Sequence, residues 1–183
     1  MFRLQVSDHV SLQLFERHHA ETLFALVDAN RAHLREWLGW VDGTTETSTY
    51  QEVVIPAWLQ QFADLQEELV GTIGLHAIDR HLGQTSIGYY LGEKGLGKGI
   101  MTDVVRFVTN YCFETLGLNR VVIECATGNV RSRRIPERLG FTEEGVLRDA
   151  EKLYGTYHDL QVYAMLRRDW TKTQEVAACA SSQ

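Results

Sequence analysis

Between Leu91 and Ile100 the chain reads Leu-Gly-Glu-Lys-Gly-Leu-Gly-Lys-Gly-Ile, with Gly92, Gly95, Gly97 and Gly99 falling within eight residues at the point where one periodicity gives way to another. Before it, Thr85 to Leu91 has the character of a strand. After it, Ile100, Met101, Val104, Val105, Val108, Cys112 and Leu116 recur at helical spacing until Gly117, a natural stop signal. Arg120 to Ala126 is again rich in strand formers. Residues 85 to 126 therefore predict a strand, a helix and a second strand joined as a crossover, which makes the two strands parallel and the fold class α/β.

The remaining segments supply antiparallel strands and flanking helices. Phe2, Leu4 and Val6 alternate with polar residues, as do Leu12 and Leu14 beyond the Ser7-Asp8-His9 turn, predicting an antiparallel pair. A helix is expected over Ala20 to Asn30 on the stripe Leu23, Phe24, Leu26 and Val27, then a short helical piece with Leu34, Trp37 and Leu38. Thr47 to Asp64 is a further helical candidate, kinked or interrupted at Pro56. Leu69 to Ile78 pairs with Thr85 to Leu91 across the polar turn Asp79 to Gln84. Asn129 caps a helix to Leu139, ended by Gly140. Two strands around Gly155 follow, the second with Leu160, Val162, Ala164 and Leu166 on one face. Residues 1 to 170 make one domain; Thr171 to Gln183 lacks hydrophobic periodicity and is expected to be a disordered tail.

A loop that leads from a strand directly into a helix aims unpaired N–H groups and the positive end of the helix dipole at one spot, and an anion is the favoured occupant. Glycines let a pyrophosphate approach those donors. As a Walker A loop, Gly92 to Lys98 fits until Gly99, which stands where a Ser or Thr should hold Mg²⁺, so nucleotide hydrolysis fails there. As a Rossmann fingerprint, Gly95 and Gly97 lack the third glycine and the acidic residue about 20 positions on. A plain turn needs fewer glycines.

Bulk properties narrow the partners. The net charge of −6 argues against general nucleic-acid affinity and suits a cationic or amine-bearing partner better. No apolar run approaches the ~18 residues of a membrane span. Cys112, Cys125 and Cys179 have no short paired spacing and read as reduced thiols, which points to the cytoplasm. The histidines show no metal-ligand spacing, and no metal is expected.

Ile87-Gly-Tyr-Tyr-Leu91, Gly97-Lys-Gly-Ile-Met-Thr102, Arg120-Val-Val-Ile123, Asn129-Val-Arg-Ser132 and Leu139-Gly-Phe141, in that order and spacing, resemble the acetyl-CoA-binding core of the GNAT acetyltransferases. Glu144-Gly-Val-Leu-Arg148, Glu151, Tyr154-Gly155 and Tyr157-His158-Asp159 resemble its RimJ/RimL branch, and the likeness covers most of residues 10 to 170. It implies a mixed, mostly antiparallel twisted sheet with central splayed parallel strands, acetyl-CoA as cofactor, and transfer of acetyl to an amine by direct attack in a ternary complex. Dimers are common in the family. Two departures stand out: Lys94 replaces the Gln or Arg that often opens the family's loop, and the three residues Gln66 to Glu68 leave no room for the strand and turn the family usually places before Leu69.

The same resemblance assigns roles. Backbone at Gly88, Tyr89, Tyr90 and Leu91 would bond the pantetheine as an added strand does. The N–H groups of Lys94, Gly95, Leu96, Gly97, Lys98, Gly99 and Ile100 would hold the pyrophosphate, and Asn129 could bond the pantetheine arm besides capping its helix. Glu151 matches the base, and Ser132 the residue that hydrogen-bonds the coenzyme A sulfur. Pro136 cannot donate to the carbonyl of Ser132, and its ring is expected to bend the helix there. Trp37, Trp40, His76 and Tyr154 are candidates for the acceptor pocket. The leading acceptor is a protein N-terminal α-amine, whose reference pKa near 8 makes it easier to deprotonate than lysine at about 10.4. A polyamine or drug amine comes second; a non-catalytic acyl-CoA-binding module is the rival. His158 and Asp159 are adjacent on a strand and point to opposite faces, which excludes them as a relay pair.

Overall fold

Alternation along a strand leaves each of its backbone edges needing a neighbour, and the chain meets that need with one continuous sheet. The computed structural model describes residues 3–50, 60–65 and 68–171. Its strands are β1 (Arg3–Ser7), β2 (Val10–Leu14), β3 (Gln60–Leu65), β4 (Glu68–Asp79), β5 (Gln84–Leu91), β6 (Arg120–Ala126), β7 (Thr142–Leu153) and β8 (Thr156–Leu166). They lie in the order β1-β2-β3-β4-β5-β6-β8-β7. Every neighbouring pair is antiparallel except β5 with β6, the pair joined by the crossover.

The helices are α1 (Ala20–Ala29), α2 (Arg31–Leu34), α3 (Thr47–Thr49), α4 (Ile100–Glu114) and α5 (Val130–Arg138). Two cores result, one on each face of the sheet. On the first, Val104, Val105, Val108, Cys112 and Phe113 of α4 pack on Ile87, Val121, Ile123, Tyr163 and Met165. On the second, Ala20, Leu23 and Val27 of α1 join Phe15, Leu34, Val41, Tyr50 and Leu69. Tyr50 is fully buried and donates to Thr44 Oγ1 at 3.0 Å, so its polar tip is satisfied. Alternation assigns the intervening strands: Ile87 and Tyr89 of β5 face the first core, whereas Tyr90 packs against the second.

One expectation fails. The segment Thr47 to Asp64 is helical only at Thr47–Thr49, and Gln60–Leu65 is a strand, paired to β2 from Val10↔Leu65 to Leu14↔Gln61 and to β4 from Gln60↔Gly74 to Leu65↔Glu68. The early strand is therefore present, drawn from the predicted helix, and Leu65 pairs with Glu68 across a connection that needed no extra length. Gln, Ala and Leu in this segment favour helix locally, but β2 and β4 both present an open edge that only an extended chain can fill, and pairing outweighs propensity. Pro56 lies outside the described residues, as does the tail after Thr171; Trp170, 2% exposed, packs its ring 6.2 Å from that of Phe113. Among the described residues no helix is long and apolar enough to cross a membrane.

Phe113 is fully buried between α4 and the sheet. Phe113→Ala should cost about 3–5 kcal/mol through lost transfer energy and the cavity left behind, read as a lower urea midpoint at unchanged slope.

Candidate active site

The parallel pair is short. β5 and β6 match only at Gln84↔Arg120, Thr85↔Val121 and Ser86↔Val122. Beyond Ser86 they part, so among the described residues the β6-facing edge of Ile87–Leu91 has no ladder partner, while β6 continues to pair with β8 as far as Ala126↔Leu160. The expected splay is thus a gap in one edge of an otherwise complete ladder. It opens at the carboxyl end of β5, where the glycine loop begins.

That loop is anchored at its start. Gly92 N–H donates to the carbonyl of Val70 at 2.8 Å, and Glu93 N–H to Asn30 Oδ1 at 2.7 Å. A short turn over Glu93–Gly95 then uses the N–H of Gly95 on Gly92 and that of Leu96 on Glu93. Two of the seven amides expected to face an anion are therefore spent inside the loop. Among the described residues no backbone carbonyl accepts from Gly97, Lys98 or Gly99. Gly97 and Gly99 have φ of +74° and +78°, with open space where a Cβ would stand. An ordinary residue resists that backbone, and Gly99 is the N-terminal cap of α4, so the first amides of the helix continue the row of donors. Lys94 and Lys98 lie exposed beside it. The donors, the two cations and the helix dipole all favour a diphosphate, and the backbone left open on β5 fits an extended amide chain.

Across the gap stands α5. Asn129 caps it by accepting from Ser132 N–H at 3.1 Å. Pro136 lies within the continuous helix Val130–Arg138, and the carbonyl of Ser132 that it cannot serve receives the Tyr89 hydroxyl at 3.2 Å instead. Ser132 Oγ lies 3.3 Å from the same Tyr89 oxygen. Burial drives the Tyr89 phenol far above its usual range, so it stays a proton donor. Cys125, 7% exposed on β6, is a neighbour of Ser132, and burial pushes its thiol up to about 11. Tyr89 was expected here only for its backbone; the signal for its hydroxyl was Pro136, which announces an unpaired carbonyl without saying what will meet it.

Glu151 comes from the opposite side of the sheet. Two extra residues on β7 between Leu147↔Leu160 and Glu151↔His158 form a bulge. Asp149, at φ +50°, is held in it by Asp159 Oδ1, which accepts its N–H at 2.8 Å. Bulges of this kind re-aim side chains. Asp159 is thereby occupied with the bulge, and His158 faces Glu151 across the ladder, a pairing that sequence adjacency could not suggest. Burial raises the Glu151 carboxyl above its usual value, and His158 partly offsets the rise.

The four aromatic candidates gather on the α1 face, Glu151's side by alternation. The Trp40 ring lies 5.6 Å from that of Tyr90. A methyl group on Gly128 would come within 3.3 Å of the Trp37 ring, and one on Gly88 within 2.2 Å of His76 Nε2. His76 thus lies over the start of the open β5 edge. Tyr154 donates to the Leu38 carbonyl at 3.3 Å, with the Arg35 guanidinium 4.9 Å from its ring centre. Among the described residues no three His, Cys, Asp or Glu side chains cluster as a metal site.

Known proteins are similar to this chain in sequence and in fold. A family model described as an acetyltransferase (GNAT) domain matches residues 9–142. YdaF of Bacillus subtilis (strain 168), named provisionally as a ribosomal N-acetyltransferase, is 40% identical over 179 residues, 93% of this chain and 98% of that one. A structure of RimL, a ribosomal L7/L12 alpha-N-protein acetyltransferase in complex with coenzyme A, superposes with a TM-score of 0.83 at 28% identity, covering 90% of this chain and 98% of the other. The microcin C7 self-immunity acetyltransferase MccE, in complex with acetyl-CoA and AMP, does so at 0.84 and 27%, covering 89% and 95%. Splayed parallel strands, a glycine-opened helix and near full-length similarity agree, and the chain belongs to the GNAT family of acetyltransferases, whose acyl donor is acetyl-CoA.

Proposed function

We propose that the chain transfers acetyl from acetyl-CoA to the N-terminal α-amine of a protein. The observation that carries the acetyl-transfer part of this reading is the gap between β5 and β6, with the unspent amides of Gly97 to Gly99 in the loop that follows β5 and Ser132 bonded to Tyr89 across it. The names of the relatives support the acceptor: both YdaF and RimL are described as acting on ribosomal substrates. A small-molecule amine is the second reading, supported by MccE, which is described with AMP beside acetyl-CoA.

In this reading the amides of Gly97 to Ile100, with Lys94 and Lys98, hold the diphosphate, and Gly88 to Leu91 bond the pantetheine from the open edge of β5. Bound there, acetyl-CoA supplies an activated thioester. Glu151 takes a proton from the substrate ammonium, directly or through water, so that the neutral amine attacks the thioester carbon, and its raised pKa makes it a stronger base than an ordinary carboxylate. The C–N bond forms as the C–S bond breaks, and the second proton shed by the nitrogen passes to the departing sulfur. Ser132 Oγ donates a hydrogen bond to the sulfur as the C–S bond breaks and negative charge gathers there. Trp37, Trp40, His76 and Tyr154 border the acceptor. Proximity of amine and thioester supplies much of the rate.

Gly99→Ala forces an L-residue into φ +78°, a cost of about 1–2 kcal/mol, and should weaken coenzyme A binding by about tenfold in calorimetry. Unchanged affinity would remove the anion cradle. Glu151→Gln should lower kcat by about a hundredfold or more. In the wild type the acid limb of the rate profile should lie above the ~4.3 of an ordinary glutamate, since the base is lost as pH falls through a raised pKa. The linkage runs the other way for stability: a carboxyl with a raised folded-state pKa contributes fully below its unfolded value, and that contribution is lost as pH rises through the folded one. Glu151→Gln should therefore leave the melting midpoint at neutral pH undiminished. Finally, thiol release with acetyl-CoA and a panel of peptide N-termini, lysine side chains and polyamines should favour the α-amines; turnover with polyamines alone would favour the second reading.

A further inference from the structure

Tyr89 touches Ser132 twice, its oxygen 3.2 Å from the carbonyl and 3.3 Å from Oγ. It reaches from β5, on one bank of the gap, to α5, on the other. Pro136 is what makes the contact necessary: without an N–H at position 136, the Ser132 carbonyl would be a half-buried acceptor with no helical donor. The phenol carries a single proton. Donated to the carbonyl, it leaves the Tyr89 oxygen to accept from Ser132 Oγ, and this contact fixes the serine side chain in one rotamer instead of three. As charge gathers on the sulfur, the serine proton turns from the neutral Tyr89 oxygen to that stronger, anionic acceptor. Burial keeps the phenol protonated.

We propose that Tyr89 is a positioning residue for acetyl transfer: its hydroxyl bridges the gap between β5 and α5 and holds Ser132 Oγ at the place where the thiolate departs. The inference rests on the role given to Ser132 above. A strut of this kind acts on turnover and leaves the binding of the donor alone, because the diphosphate donors and the open edge of β5 lie on other atoms. Its removal frees the serine to rotate and lets the crevice widen just where charge develops.

The test is a double-mutant cycle of Tyr89→Phe and Ser132→Ala, read as kcat and KM for acetyl-CoA with coenzyme A affinity and melting midpoint measured alongside. Losing one hydrogen bond to the developing charge should lower kcat by about tenfold in either single variant, with KM for acetyl-CoA within about twofold of wild type. The double variant should be no slower than Ser132→Ala alone. Additive losses would overturn the proposal while leaving Ser132 its role; an unchanged kcat in Ser132→Ala would overturn both. Pro136→Ala separates positioning from simple helix support, because it returns an N–H to the Ser132 carbonyl. If Tyr89→Phe combined with Pro136→Ala regains its midpoint but stays slow, Tyr89 acts on the hydroxyl. If kcat returns with the midpoint, it serves only the helix, and the proposal fails.

Discussion

A single parallel contact three residues long governs this molecule. Every other strand pair is antiparallel and nearly fully matched, so backbone donors and acceptors are consumed within the sheet. At Ser86 and Val122 the ladder stops while both strands continue. Unpaired backbone is costly where it is buried, and it persists here only because each strand is secured on its other side, β5 by β4 and β6 by β8. The neighbours therefore stabilise a gap that the two strands alone would close or lose. A ligand with amides of its own can complete the ladder.

The two cores explain why the gap is approached from both faces. α4 and α5 cover one face, and α5 brings Ser132, Tyr89 and Cys125 together beneath the gap. α1 and the Arg35 to Trp40 segment cover the other, joined there by the bulged end of β7 with Glu151. The polar groups of the site thus sit at the seam between two apolar layers. Partial burial is what shifts them: it raises the Glu151 carboxyl above its usual value and keeps the phenol of Tyr89 protonated.

Much of this could be read from residue order. The glycine loop, the apolar spacing of α4 and the strand character of Arg120 to Ala126 defined the crossover, and Asn129 caps α5 as its position suggests. The exception at Gln60–Leu65 is instructive, because Phe62 alone among those six residues favours a strand; two distant edges, β2 and β4, require it. The loop offers fewer donors than its glycine content suggests, since the amides of Gly95 and Leu96 turn back on Gly92 and Glu93. Glycine content marks a loop free to bind, but which amides remain free depends on how its first turn closes.

What the sequence by itself determined are the properties that depend on neighbours a few positions away: helical stripes, caps, turns and the left-handed glycines, together with a family likeness dense enough to name the chemistry. What only the tertiary structure decided are the encounters between residues far apart in the chain. Tyr89 meets the carbonyl that Pro136 abandons, His158 faces Glu151 across a bulge while Asp159 holds that bulge in place, and β3 fills an edge its own residues do not prefer. The reason is physical. Local conformation follows from short-range sterics and hydrogen bonds written into adjacent residues, whereas burial, pKa and partner choice are set by surfaces that exist only after the sheet has assembled.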